Sequence, residues 1–197
     1  EPVRMLFALA GVKYTDETIQ PEQWFDDAVR KAQPFEALPV LHIDGQPLSQ
    51  SCAILKYLAD QYGYGGKTPL EKAQVLAATL QVADFVSDST PWHIVNAGYA
   101  PGDADALRES CFVPARARHF ALFKKTLEQN GTGWMVGDSI TYADLYLAVI
   151  CEMYETLDPK RATLFEGFDE IKEHKDKVLS HPQLAEHMAS RDKTFRY

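Results

Sequence analysis

The chain has 197 residues, room for one large domain or two small ones, and 20 basic against 28 acidic side chains set its formal charge at −8. That charge divides evenly about Gly66, so neither half offers the positive surface that general nucleic-acid or anionic-membrane binding requires. No run reaches the ~18 apolar residues of a membrane span, and Glu1-Pro2-Val3-Arg4 lacks the basic n-region and cleavage site of a secretory signal.

The chain opens on a helix. Val3, Leu6, Phe7 and Ala10 recur at helical spacing, Pro2 sits in the first turn, and Gly11 follows as a natural C′ residue. Val12 to Ile19, with Tyr14, Asp16 and Thr18 alternating, predicts a strand. Residues 20–37 are polar and irregular, with one helical possibility from Trp24 to Lys31. Pro39 to Ile43 reads as a buried strand, and Asp44-Gly45 as a tight hairpin turn into a short partner ending at Leu48. Ser51 starts a helix that carries Ile54, Leu55, Leu58 and Ala59, then dissolves into the junction Tyr62-Gly63-Tyr64-Gly65-Gly66.

Beyond Gly66 the pattern is helical almost throughout. Two long helices are expected over 70–96 and 104–129, kinked or interrupted at Pro91 and Pro114. Thr141 and Asp144 form a capping box, with Ile140 as its staple, at the head of a helix over 142–157. Further helices are expected over 164–180 and 183–191. The first half therefore mixes α and β in the order of a thioredoxin-like domain that lacks only its opening strand, and the second half is all α. The expected domains are residues 1–64 and 67–197.

Cys52, Cys111 and Cys151 are odd in number and far apart, with no C-x-x-C pair, which favours a reducing, cytoplasmic setting. The six histidines include no H-E-x-x-H, no glycine run matches a phosphate loop, and no metal site is expected. The informative corner is elsewhere. Pro39 at the head of a strand is on its own a plain trans proline; were the bond cis, the N–H and C=O of Leu38 would turn outward, free to pair with an extended peptide. Ser51 places the open amide end of a helix nearby, where a carboxylate gains hydrogen bonds from N–H groups and the serine hydroxyl. Gln50 can accept from an ammonium or donate to the same carboxylate. Alone, Ser51 reads as an N-cap; beside an exposed strand edge, the set reads as a receptor for a zwitterionic peptide.

Leu38-Pro39-Val40-Leu41, the Asp44-Gly45 hairpin and Gln50-Ser51-x-Ala53-Ile54 resemble the glutathione site of cytosolic glutathione transferases. Glu1-Pro2-x-Arg4-x-x-Phe7 resembles the first helix of the sigma class and its nematode relatives, and Gly137-x-Ser139-x-Thr141-x-x-Asp144 extends the likeness along the chain. The resemblance implies that Ser51 and Gln50 hold the γ-glutamyl end of glutathione. It implies that Leu38 pairs with the cysteinyl unit, that Pro39 fixes that geometry, and that Glu36 and Ala37 line the approach. Trp24 corresponds to the tryptophan that contacts the glycyl end, with Arg30 or Lys31 opposite its carboxylate. Asp84 is similar to the aspartate that reaches a partner's glutathione across a homodimer, although a solvated helix carboxylate explains it equally well. Trp92, Tyr99 and Tyr146 are candidates for the apolar electrophile pocket, where core packing is the plainer reading.

The class also uses a tyrosine at the end of its first strand to stabilise the glutathione thiolate. A free thiol has a pKa of ~8.5, and lowering it two units takes ~2.7 kcal/mol of selective stabilisation. None of the nine tyrosines stands at that place, so the strand is expected upstream of Glu1; a chain starting at Glu1 is expected to bind glutathione without activating it. The resemblance implies a transferase that conjugates glutathione, a co-substrate rather than a bound cofactor, to hydrophobic electrophiles in detoxification. Glutathione-dependent prostaglandin isomerisation is a further possibility within the class. The competing readings are a non-enzymatic ligand carrier or S-crystallin-like protein, which residues 97–104 disfavour for want of an insertion, and thiol–disulfide exchange, for which Cys52 is a poor nucleophile.

Overall fold

The computed structural model describes residues 1–191. Helix α1, Pro2–Ala10, buries Met5, Leu6, Phe7 and Leu9 and ends at Gly11, whose φ of 64° is the left-handed stop expected of it. Residues 12–20 then run without ladder hydrogen bonds, so the strand expected over Val12–Ile19 does not form. Its alternation has no neighbouring strand to pair with among the described residues, and a strand without a partner is only extended chain. Tyr14 instead stacks its ring on Phe7 at 4.6 Å.

The helix expected from Trp24 to Lys31 is two shorter ones. Helix α2 spans Pro21–Trp24 and α3 spans Asp27–Lys31, separated where the Asp26 carboxylate caps Ala28 N–H at 2.8 Å. A single tight turn, Pro34–Glu36, leads to the hairpin. Strand β1, Val40–Ile43, pairs antiparallel with β2, Gln46–Ser49, with Val40 opposite Ser49 and Ile43 opposite Gln46. Asp44 and Gly45 both take positive φ, 49° and 79°, which suits the primed turn of a two-residue hairpin. The pair is half-buried rather than buried, with His42 exposed, because α4 covers only one face.

Helix α4, Ser51–Tyr62, buries the four residues expected, Ile54, Leu55, Leu58 and Ala59. Helix α5, Pro69–Asn96, passes through Pro91 without a break. Pro91 and Ser87, whose carbonyl loses its donor, both lie on the exposed face, where water substitutes. The next expected helix is divided into α6, Ala104–Leu107, a π-turn over Arg108–Phe112, and α7, Val113–Asn130. The wider turn admits the ring of Pro114 in the first turn of α7 and aims Arg108 inward, where Nε and Nη2 each donate to the buried Asp158 carboxylate at 2.8 Å.

Helix α8, Tyr142–Leu157, runs through the centre of the core, followed by α9, Asp169–Leu179, and α10, Ala185–Ser190. Residues 164–168 were expected to be helical. They form a loop whose carbonyls are taken by Arg116, which donates to Leu164 O and to Glu166 O and lies over the Phe120 and Phe168 rings. One continuous core joins α1, α4, α5 and α8. Among the described residues, no helix is long and apolar enough to cross a membrane, and no cluster of potential metal ligands occurs.

Candidate active site

The corner singled out by the sequence is assembled by the hairpin. Antiparallel pairing returns β2 to the level of Val40, so Gln50 and Ser51 follow directly on a strand whose partner begins after Pro39. Ser49 Oγ reaches Pro34 O at 3.5 Å, which ties the end of β2 to the turn that precedes Leu38. The Leu38–Pro39 bond is cis, and the main chain of Leu38 makes no hydrogen bond among the described residues. Leu38 and Pro39 are exposed and Ala37 is half-buried beside them.

Helix α4 begins here with its donors open. Its first internal bond is from Ile54 N–H to Gln50 O, and no side chain caps the turn, so the N–H groups of Ser51, Cys52 and Ala53 are unsatisfied among the described residues. They share the first turn, and the positive end of the helix dipole, with the half-buried Ser51 hydroxyl. Gln50 holds φ 75° and ψ 114°, a combination that L-residues rarely adopt. Burial pushes the Cys52 thiol above its ordinary range, which disfavours the thiolate in this first turn.

The far side of the corner is a charged cluster on α3. Lys31 Nζ lies 3.1 Å from Asp27, Arg30 contacts Asp27 as well, and Arg30 Nε approaches Glu36 at 3.5 Å. The Lys31 ammonium, with Arg30 beside it, holds the Asp27 carboxyl below the usual carboxylate range. Glu36 and Phe35 both carry positive φ, 49° and 56°.

Comparison with known proteins shows the family. The Glutathione S-transferase, N-terminal domain, family profile matches residues 1–61, and the Glutathione S-transferase, C-terminal domain, profile matches residues 92–191. The chain belongs to the glutathione S-transferase family. Probable glutathione S-transferase 6 of Caenorhabditis elegans is 38% identical over 191 residues, which is 97% of this chain and 90% of that protein. The solved glutathione S-transferase of Ascaris lumbricoides superposes with a TM-score of 0.90 at 36% identity, covering 100% of this chain and 93% of that one. The monomeric hookworm transferase Na-GST-3 of Necator americanus superposes at 0.88 with 38% identity, over 98% of this chain and 91% of that one.

Within this glutathione S-transferase architecture the sequence candidates separate. Gln50, Ser51, Leu38, Pro39, Ala37 and Glu36 gather at one corner, and Arg30 joins them through Glu36. Trp24 is half-buried at the end of α2, and Asp84 is exposed on α5 with no partner among the described residues. Tyr146, half-buried on α8, lies within electrostatic reach of Cys52, and burial pushes its phenol up to about 12. Tyr99 is exposed just past α5. Trp92 is a correction: it is 0% exposed, with its ring 4.1 Å from Phe112, and so has no surface to offer an electrophile. Its ring packs against Phe112 and Tyr154 inside the helical core. Sequence reasoning passed over Asp27, whose signal was its spacing of three and four residues from Arg30 and Lys31.

Proposed function

We propose that this glutathione transferase binds reduced glutathione in the corner between Leu38 and the first turn of α4 and delivers its sulfur to hydrophobic electrophiles. Residues 1–64 supply the glutathione site in a thioredoxin-like unit, and residues 67–197 supply the electrophile pocket, to which Tyr146 contributes. The γ-glutamyl carboxylate accepts from the open N–H groups of α4 and from the Ser51 hydroxyl, while Gln50 takes the ammonium. The cysteinyl unit lies along Leu38 in antiparallel fashion, adding one rung to the exposed edge. The glycyl end then points toward Trp24, Arg30 and Lys31. Asp84 serves a second copy of the chain in a sigma-like homodimer, in a detoxifying role in the cytoplasm.

The observation that carries this reading is the uncapped start of α4 beside the unpaired main chain of Leu38. Holding the tripeptide is distinct from activating its thiol, which takes a donor at the sulfur, so the test is set on binding. Calorimetric titration of the protein with reduced glutathione is expected to give saturable heat. Ser51→Ala is expected to weaken binding about tenfold, the worth of one hydrogen bond to a charged group, with no change in urea midpoint. Absence of saturable binding to the wild type would overturn the reading.

A further inference from the structure

From the charge cluster on α3 we infer that Asp27 and Glu36 are specificity-determining residues: they occupy Arg30 and Lys31 in advance and so set which C-terminal group on a thiol peptide the site accepts. The inference rests on the glutathione reading above and deepens it.

Arg30 reaches the segment that leads to Leu38 through Glu36, Lys31 follows it on α3, and neither is unengaged. Asp27 contacts both, and Glu36 approaches Arg30 from the other side at 3.5 Å. Two cations and two carboxylates make the cluster neutral. An incoming glycyl carboxylate therefore meets a compensated set rather than two unpaired positive charges, and it must displace an existing partner to gain a hydrogen bond. A C-terminal group with no charge meets no such competition.

Glu36 supports the same conclusion independently. It holds φ 49°, directly after Phe35 at 56°, in a region where glycine rests without strain and other residues do so at a cost. The carboxylate stands two residues before Leu38, at a backbone position that favours glycine, and is paired to Arg30. Exposure fits an adjustable rim rather than a structural pair, since the Asp27 side chain is 62% exposed and that of Glu36 is 55% exposed.

The test compares two ligands that differ only at the glycyl end, reduced glutathione and its glycyl ethyl ester, by calorimetric titration of wild type, Asp27→Asn and Glu36→Gln. In the wild type the two dissociation constants are expected to agree within about twofold, because the carboxylate gains little on a compensated cluster. Each substitution removes one of the two compensating carboxylate charges, leaving the cluster net positive, and is expected to tighten glutathione about threefold while leaving the ester unmoved. Equal shifts for both ligands, or no shift for either, overturn the inference and leave the site reading standing. If the wild type binds neither ligand, the site reading falls and takes this inference with it.

Discussion

Gln50 carries its backbone at φ 75° and ψ 114° at the start of a helix that it does not cap with its own side chain. Such a conformation costs on the order of 1–3 kcal/mol for a residue with a Cβ and persists only where surrounding structure enforces it. Here the enforcement comes from both sides, by the β1–β2 pairing that ends at Ser49 and by the α4 turn closed through Ile54 N–H to Gln50 O. Glycine relieves that strain and loses about 0.5–1 kcal/mol of it to backbone entropy. Gln50→Gly is therefore expected to raise the unfolding free energy by about 1 kcal/mol, and Gln50→Ala to leave it unchanged, as read by urea denaturation. Both remove the amide and are expected to weaken glutathione alike. A Gln50→Gly variant less stable than Gln50→Ala would show that the residue is not strained.

Helix α8 is fastened at its first turn by one buried carboxylate. Asp144 accepts from Met135 N–H at 2.8 Å, from Thr141 N–H at 2.8 Å, from the Thr141 hydroxyl at 2.7 Å and from His174 Nε2 at 2.8 Å. The last contact requires the hydrogen on Nε2 and ties α9 to the head of α8. Removing the carboxylate strands four buried donors at once, so Asp144→Ala is expected to cost about 3–5 kcal/mol, whereas Thr141→Ala, which removes one hydroxyl donor to that carboxylate, costs about 1 kcal/mol. Denaturant titration of the two variants checks the ranking. The capping box itself was legible from Thr141 and Asp144, three residues apart, as the hairpin was from Asp44-Gly45 and the open helix end from Ser51. His174 was not, because a partner 30 residues away leaves no local mark. The same holds for Arg108 with Asp158 and for the π-turn that presents them. Val12–Ile19 failed for the opposite reason: a local alternation was present, and among the described residues no neighbour turns it into a strand.

Across the whole molecule the two halves share one apolar core. Helix α1 packs on α4 and on α8 through Met5, Leu6, Phe7 and Leu9, so the core of the first half continues into the second. Tyr64, in the junction between them, bonds in both directions. Its hydroxyl donates to Leu9 O at the end of α1 at 2.7 Å, and its carbonyl accepts from Tyr142 N–H at the start of α8 at 3.1 Å. Lys67 adds an exposed pair to Asp138 at 2.6 Å. Tyr64→Phe keeps the ring and the carbonyl but leaves the Leu9 oxygen without its donor, a loss of about 1–2 kcal/mol, or roughly 3–6 °C in a chain of this size. Because the apolar contact of α1 with α8 survives, unfolding should remain one transition. Trp24 reports on the first half and Trp92 and Trp134 on the second, so tryptophan fluorescence and far-UV circular dichroism followed through the same melt must shift together. Separate midpoints for the two probes would mean that the Tyr64 hydroxyl, and not the shared apolar core, is what joins the halves.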